Sequence, residues 1–153
     1  MTTRLPAIEA ESREAGARRP GLLPRAFAVF LALHGLVHLF GFTVPFGLGG
    51  PKGVTYHTTL LNNSIEVGDT GAKLMGFVWL AAAIAFVAVA VLIWRGHRLA
   101  LPATVATVIG SLILCAIGLP NAVMGLVIDV ALLGLIAFAS EKLVGRPARR
   151  AVR

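Results

Sequence analysis

The sequence has few charged residues and only one cysteine. Charged side chains make up 14% of the 153 residues and hydrophobic ones 57%, with a mean hydropathy of +0.83. A soluble domain is about 25% charged and about 45–50% apolar, so both differences favour an integral membrane protein. Because Cys115 is the only cysteine, an intramolecular disulfide and any site built on paired cysteines are excluded.

Acidic residues are also scarce, 7 against 14 basic ones, which leaves a net charge of +7. A nucleic-acid-binding protein places such charge as a basic stripe on a folded face. Here most of the basic residues lie before residue 26, in the segment Arg95–Arg98 and after residue 141. The sequence therefore predicts that the chain's partner is a lipid bilayer and not nucleic acid.

Four apolar segments each have close to the length of about 20 residues that a membrane-spanning helix needs. They predict an all-α fold, an integral membrane four-helix bundle over residues 25–140. The predicted spans are residues 25–46, 74–94, 99–119 and 121–140, with an outer loop at 47–72. Residues 1–24 and 141–153 are predicted to be basic cytoplasmic tails, the first of them disordered.

Lysine and arginine lie mainly at one end of this predicted bundle. Of the 14, all but Lys52 and Lys73 fall in the two tails, at Arg25 where the first span begins, or in the turn between the second and third spans. Loops rich in Lys and Arg stay in the cytoplasm. We therefore expect a multi-pass protein of the inner (plasma) membrane with both termini in the cytoplasm.

Polar residues interrupt three of the four spans near the middle. His34 and His38 are four apart and so lie on one face of the first helix, and Asp129 is near the centre of the fourth. Thr107 and Ser111 lie on a weakly polar stripe of the third helix. Because polar groups avoid lipid, the sequence predicts one buried cluster of these five residues.

Several roles remain open for this cluster. The histidines can link helices by hydrogen bonds, each contributing about 0.6 kcal/mol. They can form a proton- or ion-linked site, since histidine titrates near neutral pH. His34, His38 and Asp129 can also supply three ligands to a divalent metal. A haem would need an axial ligand from another helix or chain. No nucleophile motif surrounds Ser111, so no catalytic residue is predicted.

The outer loop holds a second group of polar residues that could bind a ligand or an ion above the bundle, or form a solvated cap. Strand-forming residues at 54–61 and 65–67 flank a turn at Asn62-Asn63, which predicts either a small hairpin or a partly dipping loop. Asp69-Thr70 is predicted to cap the second helix. The loop candidates are Tyr56, His57, Asn62, Glu66 and Asp69.

The second predicted span, 74–94, has no polar residue in its interior. We therefore expect it to face lipid or another chain, with Trp79 as an interfacial anchor near its outer end. Gly118, Gly125 and Gly134 are predicted to allow close approach between helices. Other membrane subunits or further copies of the chain are the expected protein partners.

The piece HGLVHLFGF, His34 to Phe42, is followed by a long outer loop and by an Ala/Val-rich helix that opens Gly76-Phe-Val-Trp79. In this pattern the chain resembles, over about residues 25–140, uncharacterised small four-helix membrane proteins of high-GC actinobacteria. Some of these are labelled transporter permeases, and that label implies a partner ATPase. In size and helix count the chain is also similar to the DoxX-like proteins, which implies a membrane redox role.

Taken together, the residues favour a non-enzymatic subunit or accessory protein of the inner membrane with a buried His/Asp cluster. The alternatives are a proton- or metal-linked transporter and, third, a DoxX-like membrane redox protein.

Overall fold

The computed structural model describes residues 20–144, without the side chains of 140, 141 and 143. Nearly all of both predicted tails therefore lies outside the described residues. The described chain is predominantly helical, as the predicted all-α class requires. Its helices and strands are α1 (Leu22–Val37), α2 (Leu39–Thr43), β1 (Thr59–Leu60), β2 (Ile65–Glu66), α3 (Gly68–Trp94), α4 (Ala100–Ile117) and α5 (Val123–Val144).

Within residues 20–144, three helical segments are long and apolar enough to cross a membrane: the α1–α2 segment Leu22–Thr43, then α3 and α4. The apolar part of α5, Val123–Ala139, is shorter, and its backbone leaves helical geometry at Ala139. Large apolar side chains cover the outside of the helices, among them Leu22, Ile84, Ile113, Met124 and Phe138. Because a soluble monomer rarely exposes so much contiguous apolar surface, these features fit a membrane protein.

Glycines allow the first helical segment to lie directly on α3. A Cβ atom at Gly35 would lie 2.5 Å from Cβ of Phe86, and one at Gly41 would lie 2.3 Å from Cγ of Trp79. Phe86 is fully buried between the helices. One face of α3 therefore lies inside the bundle, whereas large apolar side chains on another face, such as Ile84, remain exposed. That this helix presents a surface to lipid or to another chain stays a prediction.

The remaining helices complete the bundle. α4 lies between α3 and α5, and α5 returns to contact α1. An apolar core fills the half of the bundle that holds the start of α1 and the ends of α3 and α5. Its fully buried side chains include Leu31, Phe86, Ile93 and Val108. This core separates the polar residues described below from that end of the molecule.

The outer loop forms a small hairpin, one of the two alternatives that the sequence left open. β1 and β2 pair antiparallel, with Thr59 opposite Glu66 and Leu60 opposite Ile65, and Leu61, Asn62 and Asn63 adopt left-handed backbone conformations in the turn. α3 begins at Gly68, six residues before the predicted start at 74. Asp69 therefore lies in the first turn and does not cap the helix; instead a carboxylate oxygen of Glu66 accepts the Gly68 N–H at 3.0 Å.

Candidate functional site

The site begins with an irregularity in the backbone at His38, between α1 and α2. In a regular α-helix the N–H of residue 38 donates to the carbonyl of residue 34. Here the His38 N–H donates to Gly35 O instead, at 3.0 Å, a tighter, 3₁₀-type turn. The His34 carbonyl then accepts a hydrogen bond from the ring Nδ1 of His38, at 3.1 Å. This bond fixes the His38 ring and requires a proton on Nδ1, because a carbonyl only accepts.

Three further contacts join α1, α4 and α5. Nε2 of His34 lies 3.0 Å from Oδ1 of Asp129, Oγ of Ser111 lies 2.6 Å from Oδ2 of Asp129, and Nε2 of His38 lies 2.7 Å from the same Ser111 Oγ. All four side chains are buried, and Asp129 is completely inaccessible. We refer to His34, His38, Ser111 and Asp129 as the polar network.

The contacts of Ser111 constrain where protons lie in the polar network. A hydroxyl has one hydrogen to donate, yet Ser111 Oγ is within hydrogen-bond distance of both His38 and Asp129. If Ser111 donates to Asp129, His38 must donate to Ser111 and so carries protons on both ring nitrogens. If Ser111 donates to His38, Asp129 must itself be protonated and donate. Both arrangements contain the same number of protons and no net charge.

Aromatic rings enclose the histidines on the side of α3. The ring centroid of Phe86 lies 5.0 Å from that of His34 and 5.1 Å from that of His38. The ring centroid of Trp79 lies 5.4 Å from that of His38. In such an apolar surrounding an unpaired charge or an unsatisfied polar atom is costly. The low polarity therefore favours the two neutral, fully bonded arrangements over any with an unpaired charge.

A cavity of about 380 Å³ extends from the polar network toward the outer loop. His34 and His38 lie among its lining residues, and its walls are mainly apolar, including Phe40, Met75 and Trp79. Polar residues of the outer loop and of the α4–α5 turn also line it: Thr55, His57, Thr59 and Asn121. Its size and mixed lining are those of a small-molecule site.

The outer loop is fastened over this cavity by the α4–α5 turn. The backbone N–H groups of Leu61 and Asn62 donate to the carbonyls of Ile117 and Leu119, at 2.8 and 3.1 Å. The side-chain amide of Asn121 donates to Thr55 O at 3.0 Å. The hairpin is thus a cover held by hydrogen bonds, and opening it requires no break in the helices.

His34, His38 and Asp129, the predicted metal ligands, each offer one ligand atom, and these atoms lie within 4.8 Å of one another. Two imidazole nitrogens and one carboxylate oxygen are a donor set that suits zinc or iron(II). Haem fits less well, because it would need an axial ligand from a second helix or chain. His34 and His38 share one helix, and His97 lies in the turn after α3, where it accepts the Leu99 N–H.

Thr107 stands apart from the polar network. The four other residues of the predicted cluster meet, but Thr107 is only half-buried, and within residues 20–144 its hydroxyl has no side-chain hydrogen bond to any of them. Thr104, one turn earlier, is fully buried and donates to its own helix at Ala100 O. Of the three hydroxyl residues on this side of α4, Thr104, Thr107 and Ser111, only Ser111 therefore hydrogen-bonds within the network.

The outer-loop candidates form local pairs. Tyr56 donates to Asp69, which also accepts from Lys73 at 2.6 Å, and the hydrogen bond to Asp69 raises the pKa of Tyr56. His57 pairs with the Thr55 hydroxyl at 2.7 Å and lines the cavity. These residues are exposed or half-buried, so the loop candidates do not form a second buried polar cluster.

Two residues of the site were not predicted from the sequence. Trp79 contacts His38 and lies against Gly41, so it forms a wall of the cavity, whereas the sequence suggested an interfacial anchor. Asn121 ties the cover to the α4–α5 turn.

The predicted glycine contacts are found in part. Cys115 and Gly125 meet closely, since a Cβ on Gly125 would lie 2.8 Å from the Cys115 sulfur. Gly134 faces open space, so its predicted role in helix packing is wrong.

The part of the chain that the structure describes is helical, with three apolar segments of membrane-spanning length and a buried His–Ser–Asp network beneath a covered cavity. Comparison of the chain with protein-family models, with curated proteins and with solved structures found no match. The likeness to small actinobacterial membrane proteins and to DoxX-like proteins therefore stays a prediction.

Proposed function

We propose that this chain is a small, multi-pass, non-enzymatic accessory protein or subunit of the bacterial inner membrane, and that its polar network binds one exchangeable proton. The observation that carries the proposal is the position of Ser111, whose single hydrogen serves contacts to both His38 and Asp129. One proton can move between these two groups through the serine hydroxyl without any change in heavy-atom positions.

Charge placement supports the proposed orientation. Arg25 lies over the ring of Trp94, 5.5 Å from its centroid, which brings the start of α1 together with the α3–α4 turn and its arginines. At the other end of the bundle, Lys73 is paired with Asp69 at 2.6 Å. The positive end is therefore the cytoplasmic one, and the cavity and its cover face outward.

Access to the polar network from one side favours an accessory protein over a complete transporter. The cavity reaches His34 and His38 from the outer side. On the inner side, buried apolar residues such as Leu31, Val108 and Leu132 fill the space between the helices. A proton or ligand that enters from outside therefore stops at the network, as in a receptor or regulatory subunit.

The proton site is tested by ¹⁵N NMR of histidine-labelled protein in lipid nanodiscs, with infrared detection of a protonated Asp129 carboxyl. At neutral pH we expect either a doubly protonated His38 or a protonated Asp129, because Ser111 can donate to only one of them. Ser111→Ala should remove this coupling. A neutral His38 beside an ionised Asp129 throughout the pH range would falsify the proposal.

The subunit role has a separate test. Tagged protein purified from its own host in mild detergent should carry a second membrane protein in fixed ratio, and His34→Ala should reduce that ratio. Recovery of the chain alone under conditions that preserve known membrane complexes of the same cells would contradict the subunit role and leave the proton site standing.

A proton- or metal-linked transporter is the second candidate, and the cavity that ends at two histidines favours it. It requires a second conformation in which the apolar core opens toward the cytoplasm. Flux into proteoliposomes would then depend on pH or on a divalent metal such as Zn²⁺, and Asp129→Asn would abolish it. Metal analysis of the purified protein and its absorption spectrum separate the proton-linked, metal-linked and haem alternatives.

A further inference from the structure

We infer that the cavity between the polar network and the outer-loop cover binds a small, uncharged, mainly apolar molecule whose hydroxyl group donates a hydrogen bond to Nδ1 of His34. The inference deepens the proposed function by naming the ligand class. It depends on that function only for the direction of the hydrogen bond between His34 and Asp129.

The charge of the ligand follows from the cavity lining. None of the described lining residues is an Asp, Glu, Lys or Arg, and Asp129 is shielded behind the histidines. Where the polar network places a positive charge on His38, the Asp129 carboxylate behind Ser111 already balances it. A charged molecule in this space would therefore lack a counter-charge, and burial of an unpaired charge is strongly unfavourable. The cavity therefore selects a neutral molecule, and its apolar walls select an apolar body.

The hydrogen-bonding group of the ligand follows from His34. In both proton arrangements of the network, Nε2 of His34 carries the hydrogen that it donates to Oδ1 of Asp129. A neutral imidazole then has an acceptor lone pair on Nδ1. The ligand must therefore supply a donor, and a hydroxyl is the simplest donor on an uncharged apolar molecule.

Nδ1 of His34 is also free to meet such a ligand. Among residues 20–144 it has no hydrogen-bond partner, and the fully enclosed polar side-chain atoms without partners in that part of the chain are Arg25 Nε and Thr43 Oγ1. His34 is 5% exposed and lines the cavity. Since Nδ1 has no partner and is not among the fully enclosed atoms, it keeps some accessible surface, which we assign to the cavity that His34 lines.

The walls favour a flat, ring-shaped body. Trp79 and Phe40 line the cavity together with the two imidazoles, and aromatic rings pack well against one another in offset or edge-on arrangements. The proposed ligand class is therefore a phenol-like molecule, a ring bearing one hydroxyl, which enters beneath the hairpin cover.

The test uses 4-bromophenol and its methyl ether, 4-bromoanisole, as matched probes of similar shape that differ in the hydroxyl donor. Trp79 lines the cavity, and bromine quenches indole fluorescence at short range. The readout is quenching of Trp79 in a Trp94→Phe variant in nanodiscs, since these are the two tryptophans of the chain. A Trp79→Phe variant, with Trp94 as the reporter, measures quenching by probe dissolved in the lipid.

We expect saturable quenching of Trp79 by 4-bromophenol and roughly tenfold weaker binding of 4-bromoanisole, the ratio expected for loss of one hydrogen bond. Ala122→Leu fills the cavity and should abolish the saturable phase. Ala88→Leu adds the same volume on an exposed face of α3 and should leave it intact. His34→Gln should weaken the phenol and leave the ether unchanged.

Two outcomes overturn the inference. Equal, non-saturable quenching by both probes means partition into lipid only. Saturable binding of both probes with equal affinity means an apolar cavity without the assigned hydrogen bond. Failure of the proposed proton site is visible separately in the ¹⁵N and infrared spectra, which are recorded without either probe.

Discussion

His38 and Asp129 do not pair directly; both contact the hydroxyl of Ser111, at 2.7 and 2.6 Å. Both groups are ionisable, and the serine between them has one hydrogen to give. The arrangement links α1, α4 and α5 through one buried atom. Substitutions at Asp129 therefore separate the structural role of the polar network from its proposed proton chemistry.

Asp129→Asn should preserve the fold and remove the exchangeable proton. The asparagine carbonyl accepts from His34, its amide donates to Ser111, and Ser111 then donates to His38, which reproduces the bonding of a protonated carboxyl. The free energy of unfolding in mixed micelles should change by less than about 1 kcal/mol.

Asp129→Ala is the contrasting variant. It leaves the His34 and Ser111 donors without an acceptor in an apolar site, which costs about 1–3 kcal/mol for each unsatisfied group. Equal destabilisation by the asparagine and alanine variants would contradict the assigned hydrogen bonds.

Gly35→Ala should destabilise the packing of α1 on α3. The added Cβ would lie 2.5 Å from Cβ of Phe86 and 3.2 Å from the Ala83 carbonyl oxygen, so the two helices must separate, at a cost of about 1–3 kcal/mol. The displacement should also disturb the His34 and His38 rings, which contact Phe86.

Gly110→Ala is the matched control for that substitution. A Cβ at Gly110 meets nothing within 4 Å, and alanine is favoured over glycine in a helix by roughly 0.8–1 kcal/mol. Unfolding measurements should therefore show a neutral or stabilised variant. A loss of stability like that of Gly35→Ala would mean that helix packing is not what Gly35 provides.

Tyr56 should ionise at a higher pH than a free tyrosine. The hydrogen bond to Asp69 raises its pKa, so the stabilisation from this contact is fully present below the ordinary tyrosine pKa of about 10. It is lost as pH rises through the raised value. Because the chain has one tyrosine, tyrosinate absorbance reports this group alone.

Asp69→Asn should move that titration back toward the ordinary tyrosine pKa, because the carboxylate that disfavours tyrosinate is gone. Lys52→Gln, in the same loop, should leave it in place. An unchanged titration in Asp69→Asn would show that the Tyr56–Asp69 hydrogen bond does not form in the membrane.

Cysteine labelling in intact cells tests the proposed orientation. In a Cys115→Ser background, Lys52→Cys should react with a membrane-impermeant maleimide from outside. Arg95→Cys should react only after the cells are permeabilised. The reverse pattern would place the termini and the arginine-rich turn outside, contrary to the charge distribution.

Much of the fold was predictable because it depends on local patterns. Apolar segments of spanning length, the Pro/Gly breaks between them and the turn residues Asn62 and Asn63 act over a few neighbours in sequence. They predicted the helical class and the sequence of helices, and they offered the hairpin as one of two alternatives for the outer loop. The start of α3 at Gly68 was missed, because the helix continues beyond its apolar segment into a polar first turn.

The site was predictable only as a set of residue types. The four-residue spacing of His34 and His38 and the position of Asp129 in an apolar segment indicated buried polar groups, because such groups avoid lipid. Periodicity along α4 selected both Thr107 and Ser111. The rotation of α4 against its neighbours brings only Ser111 into contact with Asp129 and His38.

The sequence by itself determined an apolar helical chain with polar residues at matching depths, because hydrophobicity and helical period are properties of neighbouring residues. Tertiary structure decided which polar atoms share a hydrogen, that Phe86 and Trp79 enclose the histidines, and that a cavity reaches them from one side. Those features depend on the rotation and separation of packed helices, which are set by side-chain volumes on different segments, such as Gly35 against Phe86.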